Sequence, residues 1–403
     1  MISLRPSLRA NIYYLYLIKL SKWFMLIMPI VALYYSDNGL DEFDIYLLQA
    51  IYSISVAIME IPSGYMGDVI GRKKSLILGA ILGTLGFMLY AVSGTFSQFL
   101  VAEIILGLGG SFISGSDSAL LYDSLKDSEE EHLYLRYEGR ITALGNLAET
   151  LAAICGGLIA AFLSYRAVYG AQAIIAAIAI PASLMLVEPK RAILTDRPGL
   201  KQILTICHQS LFVNLKLCST ILLSSIIGTC TLCMAWTAQV YFVERGLNEV
   251  SITPIWVVLN LMVALVSAFA YKVRDTFGPK LVVISIVIYI PVGYILLGAL
   301  PLAAGLFSLL LFYAVRGYAT PLLKDLTNYY CASDIRATVL SIRSLIIRTG
   351  FSILGPLIGY GARHSSLSTT LVMTGLLLLI LSIGACFFFF HQIPGGDPEK
   401  AHT

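Results

Sequence analysis

Charge is the scarcest property of this sequence. Asp, Glu, Lys and Arg make up 13% of its 403 residues, where ordinary soluble domains carry roughly 25%. The net charge of +3 is too small to point to a nucleic-acid partner. Histidine is also rare, with five residues scattered at His132, His208, His364, His391 and His402. No His-rich cluster, paired catalytic acids or nucleophile motif stands in the chain, so no metal site, no cofactor and no enzyme are expected. The seven cysteines lie mostly within apolar runs. Cys230-x-x-Cys233 has no partner ligands nearby and reads as small packing residues rather than a metal or redox site.

What is present in excess is apolar surface. Hydrophobic residues make up 58% of the chain and the mean hydropathy is +0.82, so the solvent for most of it is lipid. A membrane helix takes roughly 20 apolar residues. The runs place twelve, at about 11–35, 44–67, 75–93, 97–121, 139–163, 167–187, 211–240, 250–273, 280–298, 302–323, 337–360 and 367–390. Arg5 and Arg9 precede the first run and no small-residue cleavage site follows it, so it is expected to remain as an uncleaved first helix. Few residues remain for a soluble catalytic domain.

The cations sort by side. Sixteen, from Arg5 to Lys400, fall on one face, against Arg166, Arg245 and Arg363 on the other. The positive-inside rule then puts both termini in the cytoplasm, as expected of a multi-pass protein of a cell inner membrane. The longest inner connection, 188–210, holds Pro189, Pro198, Gly199 and four cations. It separates an N-terminal six-helix bundle (1–187) from a C-terminal one (211–390), with a cytoplasmic tail at 391–403. Within the connection, Leu200, Ile203, Leu204 and Cys207 share one face of a short helix expected to lie at the membrane interface.

Between the second and third runs stands Gly64-Tyr65-Met66-Gly67-Asp68-Val69-Ile70-Gly71-Arg72-Lys73-Lys74. A carboxylate, a glycine turn and three cations are not core composition. The stretch resembles the Gly-x-x-x-Asp-x-x-Gly-Arg-Lys loop between helices 2 and 3 of the major facilitator superfamily of transporters, in its bacterial twelve-helix form. Asp275-Thr276-Phe277-Gly278-Pro279-Lys280 repeats part of it 207 residues later, between helices 8 and 9. Gly156-Gly157-Leu158-Ile159-Ala160 in helix 5 is echoed by Gly355-Pro356-Leu357-Ile358-Gly359 in helix 11. The resemblance spans essentially the whole chain. It implies an all-α polytopic fold of two pseudo-symmetric six-helix bundles, with the substrate site between them near the bilayer midplane.

The resemblance also assigns a gate. Asp68 would sit against the start of helix 11, where exposed amides favour a carboxylate, with Arg336 as its cation. Arg72 would reach Asp123, or alternatively Asp117, at the inner end of helix 4. Gly64 and Gly67 would leave room for helix 11. For Lys73 and Lys74 the positive-inside rule suffices. Asp275, Gly278 and Lys280 form the fainter second copy.

Ionisable groups inside spans cost about 2.5–3.5 kcal/mol on insertion scales, so they face the bundle interior and pair. Lys19 and Lys22 share a face of helix 1. Lys19 either snorkels or pairs, whereas Lys22, a turn deeper, calls for an acid such as Glu60 or Asp117. Glu149 in helix 5 maps onto Arg348 in helix 11, as an ion pair holding the bundle or as a substrate or proton contact. Arg316 in helix 10 has no neighbouring acid, and its planar donor fork suits a carboxylate or phosphate. With Arg343 it completes a basic set. Asn146, Gln239, Asn260 and Trp236 are further substrate-binding candidates, Trp236 being equally suited to an interfacial aromatic belt. Glu60, Glu103, Asp117 and Glu149 are the proton-coupling candidates. The family's helix-4 arginine, four residues before a glycine, is here Glu103 before Gly107. The Gly-Pro pattern that drug antiporters carry in helix 5 is absent there, and Gly355-Pro356 in helix 11 is the chain's own pair.

The resemblance therefore implies a secondary transporter, monomeric and membrane-embedded, moving a small organic solute by alternating access with protons as partner. The basic set favours an anionic or zwitterionic solute such as a carboxylate or metal chelate. A multidrug or tetracycline-like proton antiporter is the alternative. A non-transporting receptor and a lipid flippase are further ones.

Overall fold

The first apolar run is not one helix. In the computed structural model, which describes residues 6–114, 116–130, 133–189, 205–331 and 335–393, α1 (Pro6–Trp23) stops mid-run and α2 (Val31–Asp37) resumes after a non-helical stretch. Pro29 lies in that stretch and lacks the amide a continuous helix would need there. The expectation of an unbroken helix over 11–35 is thus corrected.

α3 (Glu42–Ile70) opens on a capping box in which Asp41 accepts the Asp44 amide at 2.9 Å and Asp44 accepts the Asp41 amide. It runs three residues beyond the expected end at about 67 and so into the charged stretch. Gly64, Gly67 and Asp68 are helical, and the turn is a single residue, Gly71, at φ +114°. That is a backbone conformation L-residues avoid. α4 (Arg72–Val92) starts at once. α5 (Phe96–Ile113) and α6 (Ser116–Lys126) share the fourth run, α7 (Tyr134–Phe162) forms the fifth, and α8 (Tyr165–Ala177) with α9 (Ala179–Met185) the sixth.

The remaining elements are α10 (Leu215–Glu244), α11 (Glu249–Ala268), α12 (Ala270–Phe277), α13 (Pro279–Ala299), α14 (Leu302–Tyr329), α15 (Arg336–His364) and α16 (Leu367–Gln392). No strand occurs among the described residues. Ten helical stretches among them are long and apolar enough to cross a membrane. The broken α1–α2 pair and α7, whose apolar part is Leu147–Phe162, fill the first and fifth places. That order is consistent with twelve spans.

The chain divides into two units, Met1–Leu194 with Gly246–Val257, and Thr195–Arg245 with Val258–Thr403. Residues 190–204, most of the expected linker and its interfacial helix, lie outside the described residues, as does the tail from 394. In the first unit, Ile12, Leu15 and Ile18 of α1 pack against Leu76 of α4, Leu121 of α6 and Leu186 beyond α9. Asn11 fastens the same end of α1. Its amide donates to the Val187 carbonyl at 2.8 Å and to Ser124 Oγ at 2.9 Å, and its carbonyl accepts the Val187 amide at 2.9 Å. In the second unit, α13 lies directly on α16. Gly375 and Gly298 leave no room for a Cβ against Ile295 and the Ser368 carbonyl, the small-residue contact that lets membrane helices approach closely.

Candidate transport site

Lipid offers no water to satisfy free backbone groups, so a break in a span must be repaired by neighbouring protein. Gln172 of α8, fully buried, accepts the Leu26 amide through Oε1 at 2.7 Å. α7 receives the break from the other side. At Gly145 the ring of Trp23, and at Gly156 the Leu26 carbonyl, fill the space a Cβ would need.

The break borders a cavity of about 310 Å³ inside the first unit. Trp23, Met25, Met28 and Tyr52 give it an apolar and aromatic wall, and Lys22 and Glu149 bring one cation and one anion to it. Asp117 lies 3.6 Å from Lys19, whose ammonium also donates to Ser118 Oγ at 3.3 Å. Lys22, one turn on, opens on the cavity with Glu149, a carboxylate the sequence did not assign to it. Glu60 is half-buried in α3. The side chain of Asn146 lies outside the described residues.

Glu103 is elsewhere in the same unit. Its Oε1 accepts from the Tyr35 hydroxyl at 2.9 Å and from Gln49 Nε2 at 2.5 Å, and Tyr35 meets Tyr90 hydroxyl to hydroxyl at 2.5 Å. Phe99 and Tyr169 close the aromatic cluster around them.

At the turn between α3 and α4, Arg72 donates to the Asp123 carboxylate and to the Ala119 carbonyl. Sequence reading missed Glu188. Its Oε1 accepts the Arg72 amide at 3.0 Å and its Oε2 the Lys73 amide at 2.8 Å. A lone acid at the end of an apolar run, followed by proline, was the only trace of it. The side chains of Asp68 and Arg336 lie outside the described residues. In the second unit, Arg274 stands 3.3 Å from Asp275 and 3.5 Å from Asp325. Lys280 is exposed beyond Gly278, which has φ +77°.

Arg316, Arg343 and Arg348 of the second unit make no ion pair among the described residues. Arg316 stacks over the Tyr313 ring, with 5.3 Å to its centroid. Arg343 donates through Nε to Ser224 Oγ. Arg348 is half-buried on α15. In α10, Trp236 is half-buried, and Gln239 is buried with its Oε1 lacking a hydrogen-bond partner among the described residues. Asn260 is half-buried in α11.

The long apolar helices, the broken span and the charged cavity beside it are those of a polytopic membrane protein. The family profile described as Major Facilitator Superfamily matches residues 17–347, and the chain belongs to that superfamily of transporters; it is not an enzyme. Among curated relatives, the quinolone resistance protein NorA of Staphylococcus aureus (strain MRSA252) is 24% identical over 229 residues, 56% of this chain. The alignment spans 57% of that relative. The putative multidrug resistance protein MdtD of Salmonella paratyphi B is 23% identical over 131 residues, covering 32% of this chain and 27% of the relative. Among solved structures, a D-xylose–proton symporter superposes with a TM-score of 0.76 at 16% identity, covering 98% of this chain and 99% of that one. The nucleoside transporter NupG gives 0.73 at 16% identity, covering 95% and 99%. At such identities the structures share the fold alone.

Proposed function

We propose that this protein is a proton-coupled secondary transporter that moves a small anionic or zwitterionic organic solute by alternating access. It works as a monomer in a bacterial inner membrane with both termini in the cytoplasm. The observation that carries this reading is the cavity of the first unit, where Lys22 and Glu149 stand on an otherwise apolar wall. A solute with an apolar body and opposite charges finds a complement for each there, and orientation in such sites comes from a few placed polar groups. Arg316, Arg343 and Arg348, without carboxylate partners among the described residues, add demand for an anionic group.

A second reading is efflux of lipophilic drugs. The aromatic and thioether wall of Trp23, Tyr52, Met25 and Met28 favours it, as do the names of the curated relatives. Thermal-shift measurements on the purified protein with carboxylates, zwitterions, metal chelates and cationic drugs separate the two. The first reading expects anionic or zwitterionic ligands to raise the melting temperature, and Lys22→Met and Arg316→Ala to weaken that shift. A shift with cationic drugs alone, lost in Glu149→Gln and retained in Lys22→Met, establishes the second reading instead.

A further inference from the structure

Glu103 belongs to neither the cavity wall nor the loop latch. It is 4% exposed and sits within an apolar span. The polar groups facing it are Tyr35 from α2, Gln49 from α3 and Tyr90 from α4, with Tyr169 from α8 stacked on Tyr90 at 5.0 Å. All are neutral, and Glu103 forms no ion pair among the described residues. Asp117 and Asp123 of the same unit differ in that respect, since Asp117 has Lys19 and Asp123 has Arg72. The Tyr169 hydroxyl is buried and has no hydrogen-bond partner among the described residues, so the cluster keeps one spare donor and acceptor.

An isolated carboxylate surrounded by neutral donors in a span is costly. If the position needed only a polar strut, a glutamine would serve the same hydrogen bonds without that cost. A carboxyl offers one capacity an amide lacks, which is to take up and release a proton. We propose that Glu103 is a proton-binding site of this protein, loaded and emptied through the Tyr35–Tyr90 hydroxyl pair. The coupling role of this site rests on the transport reading above. On loading, a proton from water forms an O–H bond to the carboxylate. On unloading, that bond breaks and the proton passes to a tyrosine oxygen, whose own proton moves to the neighbouring hydroxyl and then to water. The tyrosines end neutral and Glu103 ends as the anion.

Infrared spectra of the purified protein in detergent, recorded as pH is raised through neutrality, test the site directly. The expected result is a carboxylic C=O band that titrates, disappears in Glu103→Gln and shifts in Tyr35→Phe. In proteoliposomes, Glu103→Gln is expected to lose solute accumulation driven by a pH gradient while keeping the ligand-induced melting shift. A spectrum unchanged by Glu103→Gln overturns the proton site, and accumulation unchanged by it overturns the coupling role. Should Glu103→Gln not fold, a Tyr35→Phe spectrum without a band shift overturns the site in its place. If the wild type accumulates no solute at all, the transport reading fails while the infrared band still decides the proton site.

Discussion

Glu188 holds the first turn of α4 with both carboxylate oxygens, one on the Arg72 amide at 3.0 Å and one on the Lys73 amide at 2.8 Å. The residue that follows the sixth span thereby completes the turn between the second and third. Two of the orphan donors that every helix start carries are satisfied, and the negative charge lies at the positive end of the helix dipole. Gly71 makes the approach possible, since a Cβ there would stand 3.3 Å from Glu188 Oε2.

Glu188→Ala is therefore expected to destabilise the protein by about 1–2 kcal/mol, the range of a lost helix cap. Glu188→Gln, which keeps an acceptor but not the charge, should lose less. Gly71→Ala adds a left-handed strain of about 1–2 kcal/mol to the steric contact. Denaturant unfolding in detergent measures all three. A Glu188→Ala protein as stable as the wild type removes the cap from the account.

Gln172→Leu should cost about 1–3 kcal/mol, because it strands the Leu26 amide in a span. Met25 and Met28 line the cavity immediately beside that amide, so ligand affinity is expected to fall together with stability. Melting curves with and without ligand report both quantities. Lost stability with unchanged affinity would mean that the break and the binding surface are independent.

Gly145→Ala and Gly156→Ala place a Cβ into Trp23 and the Leu26 carbonyl, an overpacking expected to cost about 1–3 kcal/mol each. Gly170→Ala is the control. Nothing lies within 4 Å of its Cβ position, and a glycine replaced by alanine inside a helix gains roughly 0.5–1 kcal/mol. The three variants should thus shift the melting temperature in opposite directions, and a uniform shift would refute the close approach.

The Arg72–Asp123 pair is 20% and 26% exposed, against 46% and 68% for Arg274–Asp325. Exposed pairs contribute about 0–1 kcal/mol, so a double-mutant cycle should give a clear coupling for the first and almost none for the second. Equal couplings would deny the difference between the two loop copies. High salt should weaken the second further, because screening acts most on exposed charge.

The features legible in the sequence were those set by composition and by local pattern. The apolar runs announced the spans because lipid demands length and hydropathy from each separately. Gly71 and its cations marked the turn because few residues tolerate that backbone. What escaped was set by contacts between distant residues. The break at 24–30 depends on the side-chain oxygen of Gln172, which accepts the Leu26 amide, and nothing near Pro29 names that partner. Tyr35 and Tyr90 carry no mark in the sequence, since only packing shows that their hydroxyls meet beside Glu103. That Lys22 and Glu149 line one cavity was likewise hidden, because helix rotation, which decides the face a residue presents, leaves no mark at three-residue spacing. The basic set Arg316, Arg343 and Arg348 could be named, whereas its lack of carboxylate partners among the described residues could be seen only once neighbours were placed.

The break in the first span has a consequence for how the protein is made. The donor at Leu26 and the acceptor at Gln172 are 146 residues apart. A chain threaded into the bilayer in order of synthesis delivers the first span long before α8 exists. Until then the amide at Leu26 has no buried acceptor, and the stretch around Pro29 must stay hydrated or lean on the insertion machinery. Biogenesis of the first half is therefore complete only when its sixth span arrives, and a chain truncated before α8 should be handled by the cell as an unfinished product.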